Sequence, residues 1–74
     1  MRTSSIQLAR QNAEQISKDL KAKAAGQWIR KADLKVHYSL PHVRSCQVFA
    51  ILETEFGFEV SRLEVRAPAS SDSA

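Results

Sequence analysis

Gly26, Pro41 and Gly57 cut this chain into pieces whose lengths leave few folds open. The piece before Gly26 is long enough for a helix of roughly five turns. The piece from Gly26 to Pro41 holds a short strand followed by one short element. Pro41 to Gly57 has room for one more helix, and strand-length chain follows it. A polypeptide of 74 residues is one domain at most. It buries only about 60% of its unfolded surface, so all of these pieces must share a single small core. Nothing in the sequence supplies a staple. The one cysteine, Cys46, has no partner for an intramolecular disulfide, and no Cys/His spacing builds a zinc site.

The first piece carries the clearest signal. Ile6, Ala9, Ala13, Ile16 and Leu20 recur at spacings of three and four, which makes one stripe on a helix running to Ala24 or Ala25. Thr3, Ser4 or Ser5 is chemically fit to cap it. Lys18, Lys21 and Lys23 suit the negative end of the helix dipole, and Gly26 suits the residue just beyond the helix. The same stripe fits two heptads, so it is also a candidate self-association face.

The next pieces are less determined. Ala32, Leu34, Val36, Tyr38 and Leu40 alternate with Asp33, Lys35, His37 and Ser39, a strand pattern, yet Ala32 to Tyr38 also suits a short helix ending at Ser39. Periodicity leaves both open. A helix is expected from Pro41 to Phe56, with Ser39 as the best cap and Gly57 as the stop. Its apolar side is read as Val43, Cys46, Phe49, Ala50, Leu52 and Phe56, with Cys46 a small buried hydrophobe. Val48 and Ile51 fall on the polar side and suggest a second contact surface. Phe58 to Arg66 reads as one strand. Residues 67–74 are small and polar and are expected to form a disordered tail. The expected core is Trp28, Leu34, Phe49, Leu52 and Phe56, joined by Tyr38 and Phe58.

Charge is unevenly placed. The net charge is +3, but Lys18 to Arg44 carries +5 and Glu53 to Ala74 carries −3. Clustered cations attract phosphate backbones and speed encounter. His37 and His42 are five apart across a proline, a spacing that suits neither a helical metal pair nor a catalytic dyad. No arrangement of nucleophile, base and acid can be drawn, so an enzyme, a metal site and a bound cofactor are not expected. The N-terminus lacks the apolar core of a secretory signal, and no apolar run approaches the ~20 residues that span a membrane. With a lone cysteine, this fits a cytoplasmic protein.

Gly26-Gln27-Trp28-Ile29, Ala32-Asp33-Leu34, Ser39-Leu40-Pro41, the segment from Pro41 to Phe56 and the segment from Gly57 to Arg66 fall in the order strand, helix, turn, helix, strand. In this order Gly26 to Arg66 resembles the winged helix-turn-helix superfamily. The resemblance implies an α+β fold, a small winged helix-turn-helix-like domain over residues 1–66 with a long N-terminal helix. It implies double-stranded DNA as partner, a homodimer, and the helix from Pro41 to Phe56 as the element that enters the groove. One departure is visible: such domains have two strands in the wing, and only one is read here. A narrower resemblance runs from Phe49 to Val60, which looks like the second helix of an acyl carrier protein. That family needs a serine to carry its prosthetic group, and His42 stands in its place.

On the winged-helix reading, Arg44 and Gln47 are the base readers, since these side chains match guanine and adenine edges. Arg30, Lys31 and Lys35 are phosphate contacts, and His42 at the helix start joins them. Glu53, Glu55 and Glu59 are expected to point elsewhere. The other function classes are a protein-interaction module or inhibitor acting through Val48 and Ile51, and a β-α-β unit dimerising through Ala32 to Leu40.

Overall fold

The computed structural model describes residues 4–69. Helix α1 spans Ser5–Lys23. Ser4 caps it: its hydroxyl accepts the Gln7 N–H at 3.2 Å, and the Gln7 side chain accepts the Ser4 N–H at 3.2 Å. This reciprocal box satisfies two donors that a helix start leaves free. Of the alternative caps, Thr3 lies outside the described residues. Ala9, Ala13, Ile16 and Leu20 are buried as their spacing predicts, together with Ser17, while Ile6 stands half-exposed at the helix start. A turn follows in which the Gln27 N–H donates to the Ala24 carbonyl at 2.9 Å. Gly26 adopts φ 78° there, a conformation that costs glycine nothing.

Strand β1 (Trp28–Arg30) leads directly into helix α2 (Lys31–His37). The segment from Ala32 is therefore helical, and the strand alternative, with the β-α-β unit built on it, is overturned. The reason is tertiary. Only Leu34 of this helix is fully buried, with Leu40 buried just beyond it, so Val36 never needs the inward place that an alternating strand would give it. Ser39 turns the chain at φ 54°, and the Leu40 N–H closes on the Lys35 carbonyl at 2.9 Å.

Helix α3 spans His42–Thr54, shorter at both ends than the expected Pro41 to Phe56, and its cap position is Pro41 rather than Ser39. Its inward face also differs from the sequence reading. Ser45, Val48, Phe49, Ile51 and Leu52 are buried, whereas Val43, Cys46 and Ala50 face out. Cys46 is thus not a core residue, and Val48 and Ile51 are not a contact surface. The helix packs chiefly on α1, whose Ala9 and Ala13 allow close approach, and α1 takes up the branched side chains. Ser45 is inexpensive to bury because its hydroxyl donates to the His42 carbonyl at 2.7 Å. After α3, Gly57 takes φ 75° and the Phe58 N–H returns to the Leu52 carbonyl at 2.9 Å.

The run from Phe58 to Arg66 is two strands, not one. Strands β2 (Glu59–Val60) and β3 (Glu64–Arg66) form a hairpin, and β3 lies centrally in an antiparallel sheet of order β1-β3-β2. Ser61 made the single-strand reading fail. Its hydroxyl accepts the Leu63 and Glu64 N–H groups at 3.3 and 2.8 Å, which folds the chain back at once. Ile29 pairs with fully buried Val65, so the alternation of β1 sends Trp28 outward. Trp28 is 43% exposed and sits under the Arg66 guanidinium, 4.8 Å from its ring centroid, so it leaves the expected core. Phe56 is only partly buried; Leu34, Phe49, Leu52 and Phe58 are core. Ala67, the first residue assigned to the tail, is 1% exposed and its carbonyl accepts the Gly26 N–H. Residues 70–74 lie outside the described residues. The result is a small α+β fold of three helices and one three-stranded antiparallel sheet.

One polar contact ties α1 to the end of α2. The Tyr38 hydroxyl donates to the Asp19 carboxylate. That bond is the main cause holding the Asp19 carboxyl below its ordinary value, while burial foremost, and then Asp19, push the Tyr38 phenol above its own. The lowered Asp19 value contributes stability that is complete above about pH 4 and is lost as pH falls through it. The raised Tyr38 value contributes stability that is complete below about pH 10 and is lost as pH rises through it. Tyr38→Phe is therefore expected to flatten both the acid and the alkaline limbs of melting temperature against pH. Limbs that stay parallel to those of the parent would show that the pair contributes nothing.

Candidate nucleic-acid interface

The fold brings cations together in one place, beside the outward face of α3. Lys31 and Lys35 are one turn apart on α2, so they share a helix face. That face lines a groove of about 380 Å³ whose other walls include Cys46 and Ala50 of α3, Val60 of β2, and Arg62 from the β2–β3 turn. Lys31 is held in position: its Nζ lies 5.1 Å from the centroid of the Phe49 ring. The Lys31 N–H also donates to the Leu63 carbonyl at 2.8 Å, which fixes the hairpin turn against the start of α2. Two lysines and an arginine therefore project from elements whose backbones are bonded to each other.

The acids are not all turned away. Glu55 is engaged by Arg10 at 2.9 Å, and Glu59 by Arg66, whose Nε lies 2.7 Å from it. Glu53, expected to point elsewhere, lines the groove with the lysines, one turn beyond Phe49 and Ala50. The groove thus carries three cations and one carboxylate.

Of the six residues singled out from sequence, Lys31 and Lys35 come together here and the other four do not. Arg30 is at the end of β1 and pairs with exposed Asp33 at 3.4 Å. His42 is exposed at the start of α3. Arg44 is half-buried on the flank of α3. Gln47 is half-buried too, and accepts a bond from the Ser5 hydroxyl at 3.3 Å, toward α1 rather than the groove. Arg62 was missed because its segment read as strand; the Ser61-Arg62-Leu63 sequence between two β-branched positions was the available turn signal.

Comparison with protein-family models, curated proteins and solved structures found no match to this chain. What the site can do must therefore be argued from its own side chains. It offers charge and shape rather than acid–base chemistry. The ring of His37 meets Tyr38 edge-on at 4.7 Å. Among the described residues no three His, Cys, Asp or Glu side chains gather as metal ligands, and no helix is long and apolar enough to cross a membrane.

Beside the groove, three large apolar side chains stand in solvent. Val36 is 81% exposed on α2, Val43 is 70% exposed at the start of α3, and Leu63 is 71% exposed at the hairpin turn. Isolated exposed apolar residues are ordinary. Three on the elements that surround one cationic groove make that side of the molecule the natural place to look for a partner.

Proposed function

We propose that this chain is a small DNA-binding protein of winged helix-turn-helix type, a repressor, excisionase or accessory protein of a mobile element. The observation that carries the reading is the convergence of Lys31, Lys35 and Arg62 beside the outward face of α3. The order of the elements, α1-β1-α2-α3-β2-β3 with the sheet β1-β3-β2, supports it, because it sets a helix–turn–helix and a hairpin on either side of those cations. In this arrangement α3 enters the major groove with Val43, Cys46 and Ala50 foremost. Lys31, Lys35 and Arg62 hold the phosphates, and Arg44 reaches the backbone from the flank. Small apolar residues at the front of α3 suit contact with thymine methyl groups more than hydrogen bonding to guanine. A two-fold homodimer spanning adjacent half-sites belongs to the same proposal. Its contact must lie outside Val48, Ile51 and the α1 stripe, all of which are used within the monomer.

A protein-interaction module is the second reading, and the exposure of Val36 and Val43 favours it. Titration of an end-labelled duplex at low salt separates the two. On the first reading the parent binds, and Val36→Ser leaves binding intact while Lys35→Gln weakens it. If no duplex of any sequence is bound, the first reading fails and the second replaces it.

A further inference from the structure

The exposed leucine at the hairpin turn has a geometry that the groove contact does not use. Leu63 is 71% exposed, follows Arg62, and sits on a turn whose backbone is fixed from three sides. The Ser61 hydroxyl accepts the Leu63 and Glu64 N–H groups. The Ser61 N–H donates to the Glu64 carbonyl at 2.8 Å, and the Leu63 carbonyl accepts the Lys31 N–H at 2.8 Å. A tip fixed in this way loses little conformational freedom on binding. Arg62 beside it lines the cationic groove, so the tip lies on the same side of the molecule as the outward face of α3.

We propose that Arg62 and Leu63 form a second DNA contact, in which Leu63 wedges into a base step of the minor groove and bends the duplex. This rests on the DNA-binding reading. Proteins that kink DNA insert an apolar side chain at a step, and a neighbouring arginine is drawn to the negative potential of a narrow minor groove. Leucine serves as such a wedge because it has no polar atom to leave unpaired between bases. The bend turns the flanking duplex toward the protein and lets Lys31 and Lys35 keep their phosphates.

The test is resonance energy transfer between dyes on the two ends of a duplex of about 30 base pairs, recovered from a random pool by the protein itself. Binding of the parent is expected to raise transfer by an amount equivalent to a bend of about 20–90°. Leu63→Ser removes an exposed side chain and none of the backbone bonds, so it should melt as the parent does and still bind. Its complex should return transfer to the value of the free duplex. Saturating Lys31→Gln/Lys35→Gln should bend the duplex as the parent does. A parent complex that is straight, or a Leu63→Ser complex that stays bent, overturns the wedge. So does a bend that vanishes only in the lysine variant, since it then comes from phosphate neutralisation. Absence of any duplex binding by the parent defeats the DNA-binding reading itself, and is seen in the titration before any bend is measured.

Discussion

Leu52→Ala is expected to cost about 2–5 kcal/mol and to leave the chain largely unfolded at ambient temperature. Leu52 is completely buried on α3, where α1 and the sheet meet. Its own carbonyl accepts the Phe58 N–H, which ties the end of α3 to the start of the hairpin. A cavity at this position opens in the only core the chain has. Small domains hold only about 3–5 kcal/mol from such a core, so the loss is of the same size as the whole stability. The rotation of α3 gives the comparison variants. Val48→Ala should cost roughly 1.5–2 kcal/mol, because Val48 is fully buried against α1. Cys46→Ala should change stability by less than about 0.5 kcal/mol, because Cys46 faces solvent. Denaturant melts of the three variants check this together. A costly Cys46→Ala beside a mild Val48→Ala would mean that α3 presents the other face to the core.

That rotation also shows what the sequence could and could not convey. Helix α1 was legible because its apolar residues keep to one stripe and its cap, Ser4, stands next to the first turn. Helix α3 was legible as a helix but not in its facing. Val43, Cys46, Val48, Phe49, Ala50, Ile51 and Leu52 are apolar nearly all round, and such a pattern names no inward side. Only the small residues of α1 decide it, by accepting Val48 and Ile51. The alternation from Ala32 to Leu40 misled for a related reason. In a helix of seven residues with one buried side chain, exposed Val36 has no meaning for the core. The hairpin was hidden by a side-chain bond: Ser61 closes the turn with its hydroxyl, where a sequence signal would need glycine or asparagine. Trp28 was placed in the core by its size, yet a three-residue strand can bury either its centre or its ends, and Ile29 holds the centre.

The candidate site was legible to the same degree. Lys31 and Lys35 were identifiable because four residues on one helix share a face however the helix packs. Arg62 was not, since its place beside them depends on the hairpin and on the Lys31–Leu63 bond across the fold. Arg44 and Gln47 were chosen from a helix facing that the packing of α3 rotates, and Glu53 entered the groove by the same rotation.

Removing the two lysines should have the largest effect on the proposed activity. The counterion term contributes roughly tenfold per phosphate contact at ~0.1 M salt, so Lys31→Gln/Lys35→Gln should weaken duplex binding roughly a hundredfold, alike for all sequences. Both side chains are half-buried on the short α2, and Lys31 covers the Phe49 ring, so glutamine keeps part of that cover and preserves the fold. Glu53→Gln should act in the opposite direction, strengthening binding by removing the one carboxylate that faces the phosphates. The most direct measurement is the slope of log K against log salt for the parent and the double lysine variant on one duplex. The proposed reading predicts a parent slope of about −3, from Lys31, Lys35 and Arg62, and a slope near −1 in the variant, with both proteins melting alike. A folded variant that binds with the affinity and the slope of the parent would contradict it.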